Sequence, residues 1–250
     1  MVVIGLKLDD EVREGDDIAR LFVETARKNG VKLYDGDIVV VSHKIVSKAE
    51  GRVVCLHEIN PSKKALELAS VTGKDPRLLE VVLREAKEVL KVGDGHVITL
   101  TKHGIVCANS GVDRTNSGGA GEKVVLLPED PDASARRIRE SIMKLTGTRV
   151  AVVIIDTYGR PFREGVVNMA IGFSGINPFR DYRGKPDRDG YMLRSTRVNI
   201  VDEIACAAEL VMGQGNESVP FAIIRGVEYK ESEEYGLKDI LMPRNKWLFK

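Results

Sequence analysis

The chain has 250 residues, 43% hydrophobic and 30% charged, which is enough apolar surface for a packed core and excludes wholesale disorder. Lys plus Arg number 38 against 37 Asp plus Glu, so a net charge of +1 gives no support to a chain-wide polyanion binder. Aromatics at 5% are too few for a lectin-like or single-strand stacking surface.

No apolar run approaches the ~18 residues of a membrane span; the longest, Val150 to Ile155, is the size of a strand. The N-terminus is acidic and lacks a small-residue cleavage site, so no signal peptide is expected. Three scattered cysteines, Cys55, Cys107 and Cys206, fit reduced core thiols in a cytoplasmic protein. The four histidines show no metal-binding spacing, which argues against a His-based zinc site. Neither nucleic acid nor membrane is expected as a partner.

In chain order, Val2 to Gly5 reads as a short strand. Gly15-Asp16-Asp17 opens a helix that carries Ile18, Leu21, Phe22 and Ala26 on one face and stops at Asn29-Gly30. Ile38 to Val41 suits a strand buried on both faces, and Val53 to Leu56 suits another. Helices are expected from Pro61 to about Val71 and from Pro76 to about Lys91, each with Pro at its first position. Val97 to Leu100 and Ile105 to Cys107 form a hairpin pattern, and a loop rich in Gly and Asn runs from Asn109 to Gly121. A strand at Val124 to Leu127, a helix from Asp132 to Leu145 and the strongest strand, Val150 to Ile155, follow. From Asp156 to Arg197 periodicity fades into Gly, Pro, Arg and Asp, and so long an unpatterned stretch points to function. Helix spacing returns over Asn199 to Met212, and Phe221 to Ile224 is the last core strand. The alternation implies a mixed α/β or α+β fold. With no composition break, residues 1–250 read as one unit or as two lobes without a legible boundary.

The P-loop, the G-x-G-x-x-G turn, the kinase set and the G-x-S-x-G elbow are all absent. Four other segments carry chemistry. Ser42 to Arg52 places Lys44, Lys48 and Arg52 after a buried strand, where they either hold phosphate oxygens or form a solvated face. Asp113 and Asn116 lie in a glycine-rich loop, which is either a divalent-metal and phosphate site or a run of Asx turns. Asp156 sits at the mouth of the most apolar strand, as a metal ligand on rigid support or as a turn cap, with Arg160 and Arg163 near enough in sequence to neutralise an anion. Arg180, Arg183, Lys185, Arg188, Arg194 and Arg197 make either an anion-docking surface or a salt-bridged loop. Met212 to Glu217, taken alone, is a plain helix C-cap.

Taken in order, D-G-D-I-V-V-V-S-H-K-I-V-S-K-A-E-G-R, G-V-D-R-T-N, I-I-D-T-Y-G-R-P-F-R and V-M-G-Q-G-N-E-S-V-P resemble the F-420-0:gamma-glutamyl ligase family, from Gly5 to about Gly226. The resemblance implies an enzyme of deazaflavin coenzyme biosynthesis that uses GTP, two divalent ions (Mg²⁺ or Mn²⁺) and K⁺. It would join L-glutamate to the deazaflavin precursor and then to the first glutamate through a gamma-glutamyl link. It also implies an unusual α/β ligase fold, unrelated to the P-loop or ATP-grasp classes, in an intertwined homodimer. The metal ligands would be Asp113, Asp156, Thr157 and Gln214. GTP contacts would come from Asp9, Asp10, Glu11 and Val12, from His43, Lys44 and Lys48, from Asn116, and from Met212, Gly213, Gln214, Gly215, Asn216, Glu217, Ser218 and Val219. Asp113, Asp156, Lys48 and Arg160 would form the catalytic set. Two rivals are a non-catalytic nucleotide- or deazaflavin-binding regulator and a metal-dependent phosphotransferase acting on another anionic metabolite. A mass gain of glutamyl units on the precursor separates the ligase from both.

Overall fold

The computed structural model describes residues 1–93, 95–119 and 121–248. Along the chain lie β1 (Val2–Leu6), α1 (Ile18–Lys28), β2 (Ile38–Ser42), α2 (His43–Ala49), β3 (Val53–Cys55), α3 (Lys63–Thr72), α4 (Pro76–Glu85), β4 (Ala86–Gly93), β5 (His96–Thr101) and β6 (Val106–Ala108). They are followed by β7 (Lys123–Val125), α5 (Pro131–Thr146), β8 (Ala151–Gly159), β9 (Val166–Ser174), β10 (Phe179–Asp181), β11 (Arg197–Asn199), α6 (Ile200–Met212), β12 (Phe221–Arg225) and α7 (Leu237–Ile240). The mixed α and β composition agrees with the expected class.

The main sheet has the order β1-β12-β2-β8-β9, with β2 and β8 parallel and every other neighbour antiparallel. Its central strands are apolar throughout because both faces are covered. Val39, Val41, Val152 and Ile154 pack on one side with α1 and α5, whereas Ile38, Val40, Val153 and Ile155 pack on the other against α6. A third core lies within residues 56–126, where Leu56, Leu79, Val82, Val97 and Val124 join α4 to the small sheets β3–β7 and β4–β5–β6.

Two details anchor the main sheet. Asp37, 1% exposed, receives both arms of the Arg225 guanidinium at 2.8 and 2.7 Å and the Tyr34 amide at 2.9 Å. In the β8–β9 ladder the register slips between Ile154 and Ile155, leaving Ile171 as an extra residue in β9. That bulge brings Gly172 against the backbone of Pro131 at the start of α5, where an added Cβ would stand 2.5 Å from the Pro131 carbonyl carbon. Only glycine fits so close an approach.

Several expectations change. Pro61 is outside its helix, since Ser62 caps α3 by accepting from the Ala65 amide. The helix opened by Pro76 ends at Glu85 rather than near Lys91, because Ala86 turns extended and residues 86–93 pair with β5. Short amphipathic runs fit either state locally, and here the neighbouring strand decides. The stretch from Asp156 to Arg197 is not structureless: it completes β8 and supplies all of β9 and β10.

Gly172→Ala is expected to cost about 1–3 kcal/mol of folding stability through overpacking. Arg225→Ala is expected to cost about 3 kcal/mol, the low end for stranding a buried carboxylate, since solvent reaches part of the guanidinium. Urea denaturation measures both.

Candidate functional site

One end of the main sheet is where β1 and β2 finish and β12 begins. The register Leu6↔Phe221↔Val41 brings those three strand ends level, and Ser42↔Ile155 sets the start of α2 beside the carboxyl half of β8. Above them opens a cleft of about 410 Å³. Its floor is Ser42, Ile155, Asp156, Thr157 and Asn168, and α2 supplies His43, Lys44, Ile45 and Lys48. The N-terminal turn (Leu8, Asp10, Glu11, Val12), the loop residues Asn116 and Gly118, and the segment 212–220 close the sides.

The loops are held by one another. The Leu8 amide donates to the Ser218 carbonyl at 2.9 Å, and the Asn116 side-chain amide donates to the Gly215 carbonyl at 3.1 Å. Gly213 has φ +71°, and a Cβ there would meet the Glu217 carboxylate at 2.4 Å, so the segment can wrap that side chain only through glycine. Glu217 in turn accepts from the Gly215 amide at 2.7 Å.

Each cation in the cleft rests on a carboxylate. The Lys44 ammonium lies 2.8 Å from Asp113 and 2.8 Å from the Thr115 hydroxyl, while Lys48 lies 3.9 Å from Glu11. Burial pushes the Asp113 carboxyl up, but its bond to Lys44, that charge and the Thr115 amide outweigh burial and hold it below the ordinary carboxylate value. Asp156 accepts the Thr157 amide at 2.7 Å, and its Oδ1 is 3.1 Å from Nε2 of His43. His43 is 1% exposed, and this contact is one of ion-pair distance, not aligned as a hydrogen bond. Burial and the Asp156 charge push the neighbouring Cys107 thiol up to about 12, so it remains protonated and competes neither as a nucleophile nor as a thiolate ligand.

Beside Asp156, neutral oxygens gather. The Thr157 hydroxyl is 2.9 Å from Gln214 Oε1 and 3.1 Å from Asn168 Oδ1. One carboxylate with hydroxyl and amide oxygens is a hard donor set of the kind that suits Mg²⁺ or Mn²⁺. Among the described residues, the convergence of three His, Cys, Asp or Glu donors occurs instead at Cys55, His57 and Glu58, outside the cleft lining and of softer character.

Of the residues singled out from the sequence, Asp10, Glu11, Val12, His43, Lys44, Lys48, Asn116, Asp156, Thr157 and residues 212–219 line this cleft. Asp113 stands outside the lining, joined to it through Lys44. Asp9 points to solvent beside Lys7 at 3.3 Å, and Arg160 donates to the Glu164 carbonyl at 3.5 Å; neither lines the cleft. The arginine-rich segment is also outside it: Arg183 pairs with Asp181, Arg180 donates to the Glu228 carbonyl, and Arg197 lies over the Phe179 ring. Asn168 was missed, since it falls in the stretch read as unpatterned. The run Val166-Val167-Asn168-Met169-Ala170-Ile171 is nonetheless strand-like, with a polar residue in an apolar run.

Comparison with known proteins identifies relatives of this chain. The family model described as "F420-0:Gamma-glutamyl ligase" matches residues 5–226, which takes in every wall of the cleft. The chain is 45% identical to the coenzyme F420:L-glutamate ligase of Methanothermobacter thermautotrophicus over 249 residues, covering 99% of this chain and 98% of that protein. It is 49% identical to the enzyme of the same name from Methanopyrus kandleri over 221 residues, covering 88% of this chain and 85% of that one. The Methanocaldococcus jannaschii enzyme of that name is 48% identical over 216 residues, covering 86% and 85% respectively. With a match over nearly its whole length and relatives of such identity, the chain belongs to the F420-0:gamma-glutamyl ligase family.

Proposed function

We propose that the chain is a GTP-dependent ligase that joins L-glutamate to the deazaflavin precursor F-420-0, and then a second glutamate to the gamma-carboxyl of the first. The observation that carries this reading is the cleft itself. Asp156, Thr157 and Gln214 line the same 410 Å³ space as Lys44 and Lys48, and three loops wall it to the size of a nucleotide. The same reading takes Mg²⁺ or Mn²⁺ as the divalent ions, K⁺ as a monovalent activator, an intertwined homodimer as the working unit and the cytoplasm as its place. Among the described residues no helix is long and apolar enough to cross a membrane.

A carboxylate does not condense with an amine near neutral pH, because its oxygen is a poor leaving group. In the proposed reaction an acceptor carboxylate oxygen bonds to the γ-phosphorus of GTP as the bond to the β–γ bridging oxygen breaks, and GDP leaves. The glutamate α-amine then adds to the carbonyl carbon of the acyl phosphate, the amine loses a proton, and phosphate departs with the electron pair of the C–O bond. Asp156, Thr157 and Gln214, with Asp113 behind Lys44, would hold the divalent ions, which supply neutralisation of the triphosphate charge. Lys44 and Lys48 are placed to exchange Asp113 and Glu11 for phosphate oxygens when the triphosphate enters.

Asp156→Asn is expected to lower GTP- and glutamate-dependent phosphate release at least ~10²-fold with an unchanged melting temperature; near-normal turnover would count against the assignment. Lys48→Ala is expected to raise the KM for GTP by roughly tenfold or more, the scale of one charge-assisted hydrogen bond. Mass spectrometry of the precursor after incubation with GTP, Mn²⁺ and L-glutamate tests the reaction. A gain of one or two glutamyl units supports it, whereas GDP without glutamylation would point to a phosphotransferase.

A further inference from the structure

We propose that Asn168 is a positioning residue that aims the oxygens of Thr157 and Gln214 at a divalent cation; the inference rests on reading those two residues as cation ligands. Asn168 is 5% exposed on β9 and directly opposes Thr157 of β8 in the ladder, so the sheet register determines its place. Its Oδ1 accepts from the Thr157 hydroxyl at 3.1 Å and from the Gln214 side-chain amide at 3.2 Å.

Proton counting shows why this matters. A threonine hydroxyl carries one hydrogen, yet Thr157 Oγ1 faces two acceptors, Asn168 Oδ1 and Gln214 Oε1, the latter at 2.9 Å. The Gln214 amide cannot relieve this by turning over. Turning Gln214 alone would set its Oε1 3.2 Å from Asn168 Oδ1, and turning both amides would set it 3.4 Å from the carboxylate oxygen of Glu209, so Oε1 is assigned to the Thr157 side. Three oxygens therefore meet with one hydroxyl hydrogen among them, and the Thr157–Gln214 oxygen pair has lone pairs to spare. A cation that accepts those lone pairs balances the cluster. The Thr157 proton then belongs to Asn168, and Asn168 alone receives both outer hydrogens. Its single oxygen thus orients both proposed ligands at once, as outer partners of ligating side chains do at metal sites generally.

Mn²⁺ binding, read from the electron paramagnetic resonance of the free ion with and without GDP, tests the proposal without relying on turnover. Asn168→Ala is expected to weaken Mn²⁺ binding by about 10–100-fold. Asn168→Asp, which has the same shape and keeps the acceptor oxygen, is expected to remain within a few-fold of the unaltered protein. In kinetics, Asn168→Ala should raise the KM for Mn²⁺ while kcat recovers at saturating metal, a split that loss of packing alone would not produce. If the melting curve shows that Asn168→Ala does not fold, Asn168→Ser carries the same expectation, because its hydroxyl is too short to reach both donors. Unaltered Mn²⁺ binding by Asn168→Ala, where Asp156→Asn loses it, would overturn the positioning role and leave the proposed reaction standing. Equal loss in Asn168→Ala and Asn168→Asp would overturn it too. Absence of Mn²⁺ binding in the unaltered protein would remove the metal reading and this inference together.

Discussion

The parallel pairing of β2 with β8 is the constraint on which the site depends. Both strands are buried on both faces, so neither can slip by one residue without exchanging the residues packed against α1 and α5 for those packed against α6. With the register held by packing, Ser42 stands beside Ile155, and the residues that follow them, His43 at the start of α2 and Asp156 in β8, meet at 3.1 Å. The polar chemistry begins where the apolar runs stop, and for that reason it is held on rigid support.

In the cleft each lysine is paired with a carboxylate, Lys44 with Asp113 and Lys48 with Glu11. Lys44 and Asp113 are each partly withdrawn from water, and neither would remain charged there at low cost without the other. Such a pair contributes little net stability, because what it gains in attraction it has lost in hydration. The same balance would make it exchangeable if, as proposed, a polyanion took the lysine and cations took the aspartate. Lys48 and Glu11, at a looser 3.9 Å, offer the same exchange with less to break.

Much of this was legible in the sequence where burial and punctuation coincide. Ile38 to Val41 and Val150 to Ile155 could only be buried strands, Asp17 and Asn29 bound α1 as caps should, and Asp156 was identifiable by its position at the end of an apolar run. The failures were of two kinds. Residues 86–93 suit a helix or a strand by local pattern, and pairing with β5 made the choice, which no window on the chain contains. Around β9, a bulge breaks the alternation and hides a core strand, and with it Asn168. For Asp113, a sequence can suggest that two distant carboxylates act together, but the lysine lodged against one of them follows from the fold of the intervening chain.

The order of strands also bears on how the molecule is made. β12, the last strand of the main sheet in the chain, lies between β1, the first, and β2. Until the ribosome has released residues near 225, β1 has no neighbour to join, and the turn after it has no Ser218 carbonyl to hold. Both flanks of the cleft therefore depend on a pairing between segments more than 200 positions apart. Contacts so distant in sequence form slowly, and a fragment that lacks either segment has an incomplete cleft.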